Sequence, residues 1–196
     1  GSLPEVLRQK GLDVRLLLPA YADLLRHLDA PVDAIDELEL VGHSVRILEC
    51  RLPGTQLRTW LLEHPIFSER AGNPYHDDAG APWPDNADRF MLFCEVVARI
   101  GMGCQVLDWR PEIIHCNDWQ TGLVPVYLGV DYRRHPALAQ APSVFTIHNV
   151  AFQGLCSPDW LLMLGLDRGL FAPDGLEYWG RVSLLKGGVN FADLVS

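Results

Sequence analysis

The sequence is short of positive charge. Its 196 residues carry 16 lysines and arginines against 25 aspartates and glutamates, which gives a formal net charge of −9. Because nucleic acids and anionic lipid surfaces are bound mainly through basic side chains, this balance argues against either one as the main partner. A local basic pocket for a phosphate group remains compatible with it.

Long apolar runs and cysteine pairs are also missing. No apolar stretch reaches the roughly 20 residues of a transmembrane helix, and residues 1–10 lack the basic start and apolar middle of a signal peptide. The five cysteines are odd in number and form no C-x-x-C pair, which argues against a disulfide framework and against a zinc ribbon. We therefore expect most of them to be small core residues in a protein of the reducing cytoplasm.

Three common motifs are absent as well. The sequence contains no G-x-S-x-G, no G-x-x-x-x-G-K-S/T and no G-x-G-x-x-G. A nucleophile elbow, a Walker loop and a dinucleotide-binding fingerprint are therefore not supported.

What the sequence does contain is the composition of one ordinary globular domain, with 48% apolar and 21% charged residues. Apolar runs alternate with helical patterns along the chain. Strands are predicted at 14–18, 112–116, 143–148 and from 193 onward, with antiparallel strands at 38–52 and 57–62, and helices at 3–10, 86–100, 122–129 and 181–189. This order predicts an α/β fold, with a mainly parallel sheet and flanking helices.

Polar side chains follow two of the predicted parallel strands. One strand is followed by Asp118 and Trp119, and the other ends at His148 and is followed by Asn149. Ligands bind at the carboxyl ends of strands in open α/β sheets, and a carboxylate, an imidazole and amides there can hold sugar hydroxyls. A histidine at a strand end can equally be structural, and an aspartate there can simply cap the next helix.

The long polar loop at 64–86 adds Tyr75, followed by His76, Asp77 and Asp78. Long loops in compact domains are often functional, although Asn, Pro, Asp and Gly also favour plain turns. Neither the group at 76–78 nor a pairing of His115 with Asp118 has the spacing of a metal site on a regular element. We therefore expect no metal at either place.

Five segments carry a resemblance to a known family. Together they span nearly the whole chain, and the H-N-x-A-[FY]-Q-G and N-D-W-x-x-G-L patterns within them are highly specific. The segments are Val14-Arg15-Leu16-Leu17-Leu18-Pro19-Ala20-Tyr21, Pro74-Tyr75-His76-Asp77, Asp85-Asn86-Ala87-Asp88-Arg89-Phe90, His115-Cys116-Asn117-Asp118-Trp119-Gln120-Thr121-Gly122-Leu123 and Phe145-Thr146-Ile147-His148-Asn149-Val150-Ala151-Phe152-Gln153-Gly154. In this order they resemble the motifs of bacterial-type glycogen (starch) synthases.

The resemblance implies a GT-B architecture of two Rossmann-like domains facing a cleft, with residues 1–196 as the N-terminal, acceptor-side domain. It implies retaining transfer of glucose from ADP-glucose to the non-reducing end of an α-1,4-glucan, without a metal or other cofactor. By motif, His148 and Asp118 are expected to be catalytic beside the transferring glucose. Tyr75, Trp119 and Asn149 are expected to contact substrate.

The sequence also departs from the family. The opening strand, the Lys-Thr-Gly-Gly-Leu loop and the C-terminal domain that holds most of the donor nucleotide are missing, and Gln120 stands where many relatives carry histidine. We therefore expect two strands to lack the neighbour between them, and residues 1–196 alone to be inactive. Another GT-B sugar-nucleotide transferase and a non-catalytic carbohydrate-binding module remain as alternatives.

Overall fold

The computed structural model describes residues 2–28, 32–40, 42–70, 73–102, 109–134 and 141–196, with the backbone alone for 131–134. The chain divides into two compact units, Gly1–Trp83 and Pro84–Ser196. Two residues with sequence predictions lie outside the described residues: Gly103, which with Gly101 was predicted to end the helix at 86–100, and Cys104, one of the five cysteines.

The first unit is built on a mixed four-stranded sheet in the order β1-β4-β3-β2, accompanied by short helices. Its elements are α1 Leu3–Gln9, β1 Arg15–Pro19, α2 Ala22–Arg26, β2 Asp33–Leu40, β3 His43–Arg51, β4 Arg58–Glu63 and α3 Pro65–Ser68.

The antiparallel strands that the sequence predicted are β2, β3 and β4, and β1 adds to β4 in parallel. The β2–β3 connection is tight, since Leu40 pairs with His43, and Gly42 takes the φ of +83° that a side chain would resist. The continuous apolar run at 14–18 is typical of a strand buried on both faces of a sheet, and that expectation is wrong for β1. Most of β1 is only half-buried, because it is the edge strand of this sheet.

Within its described residues, the second unit contains two three-stranded sheets. The sheet β10-β6-β5 is parallel throughout, and the small sheet β7-β9-β8 is antiparallel. The elements of this unit are α4 Asn86–Gly101, β5 Ile114–Asn117, α5 Leu123–Arg134, β6 Ser143–Thr146, β7 Leu155–Cys156, α6 Trp160–Met163, β8 Glu177–Tyr178, β9 Arg181–Ser183, α7 Leu184–Phe191 and β10 Leu194–Val195.

The core of the second unit lies on one face of its parallel sheet. Side chains alternate between buried and more exposed along β5 and β6, and the buried set includes Cys116 and Phe145. Cys94 and Cys156 join the same apolar cluster. Burial raises the pKa of the Cys116 thiol to about 12 and that of Cys156 to about 11, so these thiols are core residues, as predicted.

Both β1 and β5 lie at sheet edges, each paired with one neighbouring strand among the described residues. Among the helices of the described ranges, none combines the length and apolarity needed to cross a bilayer.

One predicted helix begins later than the sequence pattern suggested. Residues 181–183 form strand β9, and α7 starts only at Leu184. Val182 is fully buried and pairs with Cys156 on one side and Glu177 on the other. The Ser183 hydroxyl then accepts the N–H of Lys186 and so caps α7.

The other helix predictions agree more closely. Helix α5 begins at Leu123 and accommodates Pro125 in its first turn, where amide groups have no partner within the helix. Helix α4 begins at Asn86, as predicted, but the Asp85 side chain makes no capping hydrogen bond to it.

The approach of α5 to α7 generates a stability prediction. A Cβ placed on Gly122 would lie 2.0 Å from the backbone oxygen of Leu184, whereas one on Gly129 would meet only the ring of Phe191 at 3.5 Å. We expect Gly122→Ala to lower the free energy of unfolding by about 1–3 kcal/mol, because backbone atoms would have to move. Gly129→Ala, the matched control within the same region, should be neutral or stabilising by up to about 1 kcal/mol.

Urea unfolding of both variants measures these changes. An equal loss of stability in the two would contradict the close helix contact.

Candidate active site

The candidate site is assembled from the ends of β5 and β6. These strands are parallel, and Asn117 pairs with Thr146 at their last residues. The chain segments that follow both strands therefore leave the sheet at the same edge. As predicted, this edge carries Asp118 and Trp119 from one strand, and His148 and Asn149 from the other.

The Asp118 carboxylate connects these two segments directly. Its Oδ1 accepts the backbone N–H of His148 at 2.7 Å and that of Asn149 at 3.2 Å. The Asp118 N–H in turn donates to the carbonyl oxygen of Thr146 at 2.9 Å. Asp118 therefore holds the beginning of the loop that carries His148. This loop runs over residues 147–154, between β6 and β7, and is called the His148 loop below.

Asp118 also has an unusual backbone conformation. Its φ of 57° and ψ of −177° lie in a region that residues other than glycine rarely adopt. Such a conformation costs on the order of 1–3 kcal/mol and persists where surrounding interactions stabilise it. Here the stabilising interactions are the hydrogen bonds to Thr146, His148 and Asn149.

The imidazole of His148 is exposed and is oriented by one neighbour. Its Nε2 lies 3.0 Å from Asn117 Oδ1. Because an amide oxygen only accepts hydrogen bonds, Nε2 is the donor in this contact. Asn117 belongs to the N-D-W-x-x-G-L pattern, but nothing in the sequence predicted that it would orient this ring.

A second histidine lies beside the first on the same sheet edge. His115 Nε2 is 2.7 Å from Thr146 Oγ1, which is itself 2.6 Å from Ser196 Oγ. Burial and the nearby charge of His148 both lower the pKa of His115. The neutral form of His115 is therefore favoured at neutral pH.

Asn149 and Trp119 are both engaged in local structure. Asn149 Oδ1 accepts the N–H of Ala151 at 3.0 Å, as in an Asx turn. The half-buried Trp119 ring packs edge-on to Phe90 at 4.9 Å between centroids. On another side it approaches Gly154 so closely that a Cβ there would lie 2.4 Å from Trp119 Cε3. These contacts shape the His148 loop. Direct substrate binding by Asn149 or Trp119 stays a prediction.

The far end of the His148 loop is fastened by residues that the sequence analysis did not identify as functional. Gln153 Nε2 donates to the carbonyl oxygen of Val150 at 2.7 Å, and its Oε1 lies 3.0 Å from the hydroxyl of Ser183. Ser183 is completely buried. The glutamine of the H-N-x-A-[FY]-Q-G pattern was the available signal, whereas Ser183 was hidden inside a predicted helix.

Tyr75 belongs to the first unit, in the loop that follows α3. It is 40% exposed, and its N–H donates to Asn73 Oδ1 at 2.8 Å. Asp77 Oδ1 accepts the N–H groups of Ala79 and Ala81, each at 2.9 Å. The Asp77 carboxylate thus stabilises a turn, which supports the turn interpretation of this segment.

Possible metal ligands are not gathered in the part of the chain that the structure describes. No group of three or more His, Cys, Asp or Glu side chains there is arranged to hold a metal ion.

Comparison with known proteins identifies the family. The family model described as the starch synthase catalytic domain matches residues 1–196. The chain belongs to the starch synthase catalytic domain family.

Individual starch and glycogen synthases agree with this assignment. The glycogen synthase of Rhodospirillum rubrum is 42% identical over 197 residues, covering 100% of this chain and 40% of that protein. Glycogen synthase 1 of Methylococcus capsulatus is 42% identical over 196 residues, covering 100% of this chain and 38% of that protein. The structure of the catalytic domain of starch synthase IV from Arabidopsis thaliana, bound to ADP and acarbose, superposes with a TM-score of 0.76 at 28% identity.

This starch synthase domain therefore spans about 40% of the length of the curated relatives it matches, and 39% of the Arabidopsis chain. Its α/β content, parallel sheets and flanking helices are those of a GT-B Rossmann-like fold.

The role of Asp118 in this starch synthase domain is testable by hydrogen exchange. We expect Asp118→Ala to lower the protection of the His148 and Asn149 amides by at least about tenfold, since both lose their acceptor. Asp118→Asn keeps an oxygen acceptor and should retain most of the protection. Amide exchange followed by NMR measures both. Unchanged protection in Asp118→Ala would show that the carboxylate does not hold the loop.

Proposed function

We propose that this chain is the acceptor-side part of a glycogen synthase. The intact enzyme transfers glucose from ADP-glucose to the non-reducing end of an α-1,4-glucan, with retention of configuration. The observation that carries the proposal is the link between Asp118 and the His148 loop, in a chain that aligns from end to end with glycogen synthases. The binding of ADP and acarbose by Arabidopsis starch synthase IV fits a nucleotide-sugar donor and an oligosaccharide acceptor.

Transfer of glucose requires stabilisation of the positive charge that develops in the transition state. As the diphosphate leaves, the transferring glucose gains oxocarbenium character, and fixed dipoles and lone pairs beside it lower the barrier. Asn117 orients the His148 ring, and Asp118 holds the backbone below it. We assign His148 to the contact with the transferring glucose. Asp118 supplies negative charge close by and keeps His148 in place.

The diphosphate is assigned to other parts of the intact protein. Diphosphates are bound by clustered backbone N–H groups or by basic side chains. At this sheet edge the N–H groups of His148 and Asn149 already donate to Asp118. Among the described residues, the polar side-chain contacts of this edge involve Asn117, His115 and Thr146. This edge is therefore suited to a neutral sugar.

The remaining predicted residues divide by their contacts. Tyr75 keeps an exposed ring and remains our candidate for an acceptor contact. Trp119 and Asn149 contribute by shaping the His148 loop, with substrate contact as a further part of the proposal. We also propose that the protein acts in the cytoplasm, because Cys94, Cys116 and Cys156 are free thiols.

Kinetics of the full-length protein tests the assignment of His148. We expect His148→Ala to lower kcat by about 10²–10³ while changing the KM for ADP-glucose much less, because the lost contact acts mainly in the transition state. Asp118→Asn should also lower kcat without loss of the folded state. His27→Ala, at an exposed histidine in the first unit, is the control. Turnover near the wild-type value in both site variants would remove these residues from the active site.

The 196-residue chain by itself offers a second test. We expect no glucose transfer and almost no binding of ADP-glucose, since the groups assigned to the diphosphate lie elsewhere. Maltohexaose should bind weakly, with a Kd of roughly millimolar order, where contact energy only just offsets the lost motion. Calorimetric or NMR titration with each ligand measures this. Turnover, or micromolar binding of ADP-glucose, would overturn the division of labour between the two parts of the protein.

A further inference from the structure

A tight hairpin in the second unit carries an unexpected residue at its tip. Strands β8 and β9 are joined through the pair Tyr178 and Arg181, which leaves Trp179 and Gly180 as a two-residue loop. Both loop residues have positive φ, 50° and 78° respectively. Two-residue loops with this geometry are type I′ turns, which favour Asn, Asp or Gly at the first position. Tryptophan is a poor choice there on conformational grounds.

Burial does not explain the tryptophan either. Its side chain is 88% exposed, the highest value among the large apolar side chains of the described residues. The adjacent Tyr178 is also exposed, at 36%. A strained backbone and an uncovered indole both weigh against Trp179 as a stabilising residue. Hydrogen bonds of the neighbouring residues nevertheless hold the hairpin in place.

The charged groups of the hairpin are used to fasten it. Glu177 Oε1 accepts the N–H of Gly180 at 2.8 Å, and Lys186 Nζ donates to the Glu177 carbonyl oxygen at 2.5 Å. Arg181 donates to the carbonyl oxygen of Leu155 at 3.1 Å. The hairpin therefore presents aromatic rings on a rigid support, while its carboxylate and guanidinium are already engaged. Such a surface suits a neutral ligand with flat apolar faces better than an anion.

The hairpin lies on the same chain connection as His148. Residues 147–183 run from the carboxyl end of β6 to the start of α7, and they begin with the His148 loop. The end of this connection is tied back to that loop by the Ser183–Gln153 contact at 3.0 Å. Trp179 is four residues from Ser183, which corresponds to at most about 14 Å of extended chain. Chain connectivity thus keeps Trp179 within that distance of Ser183, the residue that contacts the end of the His148 loop.

We propose that Trp179, with Tyr178 beside it, is a binding platform for the α-1,4-glucan acceptor at a distance from the transferring glucose. The proposal rests on the proposed function, because a glucan is the neutral, flat-faced ligand that this function requires. Large aromatic side chains commonly dominate the energy of such contacts. The platform holds sugar units of longer acceptors and does not take part in the transfer itself.

The test uses the full-length protein and the variant Trp179→Asn. The KM for maltohexaose is expected to rise about tenfold, the change typical for loss of one aromatic anchor. The KM for maltose, which is too short to reach the hairpin, should change less than about twofold by the same reasoning. Because asparagine suits the turn, Tm should rise by about 2–4 °C. Trp179→Phe keeps a ring and is the matched control, with a KM for maltohexaose close to that of the wild type.

The outcomes distinguish failure of the platform at Trp179 from failure of the proposed function. If the wild-type protein transfers glucose and Trp179→Asn leaves the ratio of the two KM values unchanged, the platform is wrong and the function stands. If the wild-type protein neither transfers glucose nor binds maltohexaose, both are wrong. Trp179→Asn could instead abolish a concentration-dependent self-association seen by sedimentation. In that case the indole of Trp179 contacts a second copy of the protein, and the glucan platform is likewise overturned.

Discussion

The candidate site depends on one carboxylate oxygen. Asp118 Oδ1 accepts two successive backbone N–H groups of the neighbouring segment, and so joins the ends of β5 and β6 beyond the last paired residues of the sheet. Without that acceptor the two amides would lose their partner within the protein, and the unusual φ of Asp118 would be left with less to stabilise it. The position of His148, and with it the orientation of its ring toward Asn117, follows from this contact.

The location of the site was predictable because it depends on topology. Two buried apolar strands that run parallel bring the residues after them to one edge, whatever the details of the loops. Asp118 and His148 were therefore expected together from their positions after strands alone. The mutual contact of the Asp118 side chain with the His148 backbone was not, because periodicity carries no information about side-chain acceptors for loop amides.

The connection from β6 to α7 was predicted less well, for physical reasons. Strand β9 is three residues long, and its one apolar residue, the buried Val182, fits a helical stripe as well as a β-ladder. The local sequence pattern therefore could not distinguish helix from strand. The hairpin before it was missed because Trp-Gly is not a typical type I′ signal. The Gln153–Ser183 contact spans 30 residues of sequence and arises only once both segments are folded.

Two non-glycine residues of the described chain have positive φ, Asp118 and Trp179, and their surroundings distinguish them. Asp118 is held by hydrogen bonds that involve its own side chain, so its strain is part of how the site is built. Trp179 is fastened only through its neighbours, while its ring stays uncovered. Strain that local contacts stabilise has its explanation within the fold. Strain combined with an exposed indole favours a contact outside the fold, and under the function proposed above the ligand of matching chemistry is the glucan acceptor.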